Sequence, residues 1–105
     1  MEYFDYAVDV LVTALNHILK TKGYDGILVF NSQKIRGKFN IWAFTFTLSW
    51  IKNPEEIVPV KTLQTNYAGT NKGQELHRKF MLIRFVEELF AEQDEIWNLI
   101  STRHQ

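Results

Sequence analysis

The chain has 105 residues, 46% of them apolar and 14% aromatic, with zero net charge and no cysteine. That length points to one domain, residues 1–105, with a modest core. Such a composition excludes a disordered chain, and the missing cysteine excludes disulfides, thiolate metal sites and cysteine nucleophiles.

The amino terminus, Met-Glu-Tyr-Phe-Asp-Tyr, lacks the basic start and apolar stretch of a secretory signal. No run approaches the roughly 18 apolar residues of a membrane span. The expected setting is cytoplasmic, with no membrane partner.

Residues 3–20 read as an amphipathic helix, with Tyr3, Ala7, Val10, Leu11, Ala14, Leu15 and Ile18 at the spacing of one face. Acids crowd its first half and Lys20 and Lys22 its end, as the helix dipole favours. Gly23 stands where a left-handed closing residue is wanted. Ile27 to Phe30 is a short apolar run that reads as a buried strand, and Asn31 to Gly37 reads as a loop.

The clearest strand is 38–50. Trp42, Phe44, Phe46, Leu48 and Trp50 fall on one side, and Ala43, Thr45, Thr47 and Ser49 on the other. A sheet with one covered side and one partly wet side is expected to be antiparallel. Asn53-Pro54-Glu55-Glu56 forms a turn or a single helical turn. Ile57 to Thr65 reads as a third strand, in which Pro59 implies an edge or a bulge.

Tyr67 to Gly73 is a polar loop, and Asn71 with Gln74 resembles a capping box. From there to about Glu92 the chain is a helix. Leu76, Phe80, Leu82, Ile83, Val86, Leu89 and Phe90 cover so wide an arc that packing on two sides is expected, against the sheet and against helix 1 or a second subunit. Asp94 is placed to cap a short last helix holding Ile96, Trp97, Leu99 and Ile100, with a frayed end. The expected fold is α+β: a small two-layer domain, α-β-β-β-α plus a short carboxy-terminal helix, with the helices on one face of a three-stranded antiparallel sheet.

Glycine-rich phosphate loops and the nucleophile elbow are absent. His17, His77 and His104 are not spaced with one another or with acids as metal ligands, and read as structural or exposed. No catalytic, metal or cofactor residue is singled out. The element order resembles the core of PD-(D/E)xK nucleases, for which Asp25 could supply one acid. The next strand, Phe39 to Trp50, holds no acid, and the residue two before Lys61 is Pro59, so the second half of that motif is missing.

Charge is unevenly placed: residues 20–84 carry +7, residues 1–19 carry −3 and residues 85–105 carry −4. Lys34, Arg36 and Lys38 cluster around the first hairpin, and Lys72, Arg78 and Lys79 at the start of the last long helix. In layout the chain resembles double-stranded RNA-binding domains, which use those two regions and helix 1 to meet RNA. It departs from them at the start of that helix, where the family's Lys-Lys-x-Ala-Lys is replaced by Asn-Lys-Gly-Gln-Glu-Leu.

Aromatics and apolar residues near element ends and on the flank of the long helix, namely Trp50, Tyr67, Met81, Phe85 and Trp97 (with Tyr24 beside them), are candidates for an interface. The expected function is a non-enzymatic protein-protein interaction module, such as a small regulator, inhibitor or immunity-type protein, bound to a protein partner or to its own copy. Nucleic-acid binding through the basic middle is the alternative, and an enzyme without a recognisable motif the third reading.

Overall fold

A row of large apolar side chains on one side of a single strand organises the computed structural model, which describes residues 3–104. The elements are α1 (Tyr3–Thr21), β1 (Ile27–Arg36), a 3₁₀ turn (Lys38–Asn40), β2 (Ile41–Asn53), β3 (Glu56–Ala68), α2 (Asn71–Ala91) and α3 (Gln93–His104). The sheet is antiparallel throughout, in the order β1-β2-β3. All three helices pack on one side of it, so the expected α+β fold is observed.

Phe44, Phe46, Leu48 and Trp50 are buried, pointing from β2 into the helices. They are joined by Leu28 of β1, Val58 and Leu63 of β3, Leu15 and Leu19 of α1, Leu82, Phe85 and Leu89 of α2, and Ile96 and Ile100 of α3. Each such burial contributes about 1.5–3 kcal/mol. Trp50 also keeps a polar partner, since its indole N–H donates to the Asp25 carbonyl at 2.8 Å. Gly26 permits this approach: its φ is +91°, and a Cβ there would strike the Ile51 carbonyl.

Several boundaries differ from the sequence reading. β1 continues through Arg36 instead of ending at Phe30, because its outer half pairs with β2 from Asn31↔Thr47 to Arg36↔Trp42. That polar half reads as a loop in the sequence because its side chains are not buried. The β2 strand starts at Ile41 rather than at 38, after a tight turn. β3 runs on to Ala68, and the expected bulge lies beside Pro59, where Lys61 faces Leu48 and Pro59 faces Ser49. Thr70, not Asn71, caps α2 by accepting from the Gly73 N–H at 3.1 Å. α3 extends as helix to His104, where fraying was expected.

The face α1 buries is also rotated from the expected one. Val8, Leu15 and Leu19 are buried, while Ala7, Val10 and Ala14 are exposed; Tyr3 lies outside the described side chains. α1 ends as read: Gly23 has φ +82°, and the N–H groups of Lys22, Gly23 and Tyr24 return to Ile18, Lys20 and Leu19.

Two polar ties fix the layers. The Asn16 amide donates to the Leu28 carbonyl at 2.9 Å and accepts from the Leu28 N–H at 2.7 Å, so α1 satisfies both backbone groups of an edge residue. Lys61, on the helix side of β3, donates to Glu88 at 2.7 Å and to Glu92 at 2.6 Å, and Arg84 also bonds Glu88 at 2.8 Å. Burial pulls the Lys61 pKa down, but the two carboxylate hydrogen bonds outweigh it, and the pKa is raised. The Glu88 carboxyl is lowered, first by the bond from Lys61, against burial and with help from Arg84.

Asn16→Ala would leave two edge-strand groups unsatisfied and is expected to cost about 2 kcal/mol of unfolding free energy, read as a lower urea midpoint. Because the Glu88 pKa is lowered on folding, its contribution is complete above the ordinary carboxylate value of 4.5 and is lost as pH falls through the depressed folded value. Lys61→Met should therefore cost about 1–2 kcal/mol at pH 7, and denaturant melts should show that gap closing as the solution is acidified below about pH 4.

Candidate functional site

The side of the sheet away from the helices is uncovered. Register and burial assign to it Ile27, Val29, Asn31, Gln33 and Ile35 from β1. From β2 come Ile41, Ala43, Thr45, Thr47, Ser49 and Ile51, and from β3 Ile57, Pro59, Thr62, Gln64, Asn66 and Ala68. None of these side chains is ionisable, in a chain where 23% of residues are charged. Ile27, Val29, Ile35, Ile41 and Ile57 are all exposed, Ile57 at 62%. The branched residues gather at the two ends of the face, Ile27, Val29, Ile51 and Ile57 at one and Ile35 and Ile41 at the other, and the middle is neutral and polar, with half-buried Thr45 and Thr47 between Asn31, Gln33, Thr62 and Gln64. Charged side chains of the three strands, such as Lys34, Arg36 and Lys61, fall on the helix side instead.

The far end of the sheet gathers the cations read from the sequence. β1 and β2 meet there at Gly37 and Ile41, β3 ends there with Ala68 beside Ile41, and α2 starts a few residues later. Lys34, Arg36, Lys38, Lys72, Arg78 and Lys79 therefore share one end of the molecule. The Lys34 ammonium lies 4.5 Å from the Trp42 ring centre and 5.9 Å from that of Phe44, and the Arg36 guanidinium lies 6.0 Å from Trp42. Arg36 also donates to the Asn40 side chain. Arg78 is engaged by Asp5 of α1 at 2.5 Å, and Lys79 lines a hollow with Asp5, Glu75 and Arg78.

At the tip of this hairpin Phe39 is 89% exposed and has φ 59° and ψ 31°; Asn40 follows with φ 58°, and the Ile41 N–H returns to the Lys38 carbonyl. That is the geometry of a type I′ turn, which favours Asn-Gly over Phe-Asn. A left-handed phenylalanine costs about 1–2 kcal/mol.

Several expected interface residues are not on the surface. Trp50 and Phe85 are fully buried and Trp97 is 9% exposed. Phe85 packs against Phe30 and Phe46. It falls inside because Leu82, Phe85 and Leu89, at three-four spacing, form the stripe that faces the sheet. Met81 and Tyr67 are half-buried against the core, as is Tyr24. Tyr67 stacks on His77, whose Nε2 is 2.8 Å from the Thr65 hydroxyl. Burial lowers the His77 pKa. A shallow hollow of about 200 Å³ beside them is lined by Tyr67, Gly73, Leu76, His77 and Phe80.

The second stripe of α2, Leu76, Phe80, Ile83 and Phe90, is exposed. Among the described residues no group of three or more His, Asp or Glu side chains is placed to hold a metal ion, and no helix is long and apolar enough to cross a membrane.

The residues of the open sheet face do not stand out in the sequence as a site, although the alternation of β2 carries the signal: its Ala-Thr-Thr-Ser row is uncharged throughout. No family model, curated protein or solved structure matches this chain.

Proposed function

We propose that this chain is a non-enzymatic protein-protein interaction module and that its binding surface is the open face of the sheet. The observation that carries the reading is the absence of any ionisable side chain across three strands on an exposed face holding five large branched residues. Solvated sheet faces are ordinarily studded with charge, which keeps them soluble and unpaired. A broad uncharged face with an apolar cluster at each end shares with interface cores their depletion of charge. Isolated exposed apolar residues need no partner, but here Ile27, Val29, Ile51 and Ile57 adjoin one another at one end of the face, and such a cluster marks an interaction site.

The reading predicts that a tagged chain expressed in its native host retains a protein, another or its own copy, through this face. Thr47→Lys, at the centre of the face, should release what the wild type retains, while Phe80→Lys on the outer stripe of α2 keeps it. A folded Thr47→Lys chain that retains the same proteins as wild type would remove the support for this surface.

A second reading, nucleic-acid binding, is favoured by one observation of its own: the six cations come to one end, around a hairpin whose strands and turn, residues 27–53, contain no acid. Duplex RNA or DNA that meets phosphates there should dissociate steeply as salt rises. Replacing Lys34, Arg36 and Lys38 by alanine should weaken binding and flatten the salt dependence, by about 0.9 in log-log slope for each phosphate that is no longer neutralised. An unchanged affinity in that triple variant would count against this reading.

A further inference from the structure

We infer that the partner of the open sheet face is a second copy of this chain, packed sheet on sheet about a two-fold axis passing near Thr47. The inference rests on the reading of that face as the binding surface and adds the identity of its occupant.

Charge is the first reason. A two-fold contact places each residue near the axis against its own copy, so an ionised group there would meet its like. This face offers none. It also lacks what other occupants need: no cation for phosphates, and no aromatic residue for base stacking or for a membrane interface. A protein partner of opposite charge would find nothing to pair with, whereas an uncharged face is complementary to itself.

Size is the second. Strands of 10, 13 and 13 residues, at about 3.3 Å per residue and about 4.8 Å apart, give roughly 600 Å² of projected face. Two such faces together bury about 1,200 Å², the lower bound for a specific interface. Association that depends on concentration in the micromolar range is the expected behaviour of so small a contact.

Shape is the third. Thr45 and Thr47 form a low middle flanked by Asn31, Gln33, Thr62 and Gln64, with an apolar cluster at each end of the face: Ile27, Val29, Ile51 and Ile57 at one, Ile35 and Ile41 at the other. Two sheets crossing at about 30°, at a separation of about 10 Å and with the axis near Thr47, set the neutral polar middles together and the apolar ends of one face against apolar ends of the other.

The edges of the sheet argue against the other route by which sheets join. Leu28 on the β1 edge already has both backbone groups bonded by Asn16, and Lys34 and Arg36 follow along the same strand. On the β3 edge Pro59 has no N–H and sits beside a bulge.

The test is the mass of the full chain by light scattering across about 1–100 µM, the range suited to an interface of this size. The expected result is a rise from the 12.4 kDa of one chain toward twice that value. Thr47→Lys and Thr47→Glu should each stay at the single-chain mass with an unchanged circular dichroism spectrum, and mixing the two should restore the doubled mass. Phe80→Lys should associate like wild type. If Thr47 variants lose structure, Ile57→Lys, on an edge strand and well exposed, gives the same readout, with association at least tenfold weaker.

A wild-type chain that stays single at every concentration overturns the inference; if Thr47→Lys still releases a different protein in the native host, the face remains the binding surface and only the occupant is wrong. Doubling that survives both Thr47 variants and disappears in Phe80→Lys overturns the inference and removes self-association as support for the face.

Discussion

The period-two alternation of β2 is the constraint on which the rest depends. Among the described residues β2 alone is a strand with neighbours on both sides, and its two side-chain rows of opposite character set the fate of both faces of the sheet. Phe44, Phe46, Leu48 and Trp50 form the floor on which α1, α2 and α3 rest. Ala43, Thr45, Thr47 and Ser49 form the middle of the surface that no helix covers. A slip of β2 by one residue against both neighbours would exchange its rows and place four large side chains in water. The register is also held from outside the ladder, by Asn16 on the β1 backbone and by Lys61 reaching from β3 to two carboxylates of the helical layer.

Much of the fold is legible in the sequence because alternation and helix signals are local. β2, the end of α1 at Gly23, the bulge at Pro59 and the element order can all be read without tertiary information. The outer half of β1 cannot, because Asn31 to Arg36 has no buried row of its own and is a strand only through its pairing with β2. The interface candidates are less legible still. α2 carries two apolar stripes of similar spacing, one through Leu82, Phe85 and Leu89 and one through Leu76, Phe80 and Ile83. Spacing states that both exist; only the sheet decides which is inside. Trp50 looks like a strand-end aromatic available to a partner, yet the Tyr24-Asp25-Gly26 turn folds over it and supplies its hydrogen-bond acceptor. The cations are legible as a group, and the hairpin topology explains why: one end of an antiparallel meander collects the β1–β2 connection and the start of α2 together.

Those cations are not a uniform field. Arg78 is engaged by Asp5, and Lys34 and Arg36 lie against Trp42. Each of these contacts covers an apolar or charged neighbour at the thinly covered end of the helix side. They are at once packing elements and the most basic feature of the surface. The left-handed Phe39 at the hairpin tip is a different matter. Its strain would be relieved by glycine or asparagine, and its ring touches little of the protein, so nothing in the packing of the chain calls for a phenylalanine there.

An uncharged, half-apolar sheet face in a free chain is a hazard as well as a surface. What separates recognition from aggregation is whether association can continue. Face-to-face packing about a two-fold axis uses each face once and then stops, whereas edge pairing leaves a new edge at every step. The chain treats its two kinds of surface in keeping with that difference. Its edges carry the side-chain clamp at Leu28, the cations of outer β1, and the proline and bulge of β3. Its open face carries no charge: the polar groups at its centre, Asn31, Gln33 and Gln64 beside Thr45 and Thr47, are all neutral. A sequence under pressure only to remain single would gain from a lysine at Thr45 or Thr47, where the side chain is free to reach water. The protection was placed on the edges and left off the face, which is the arrangement expected if the face is meant to be covered.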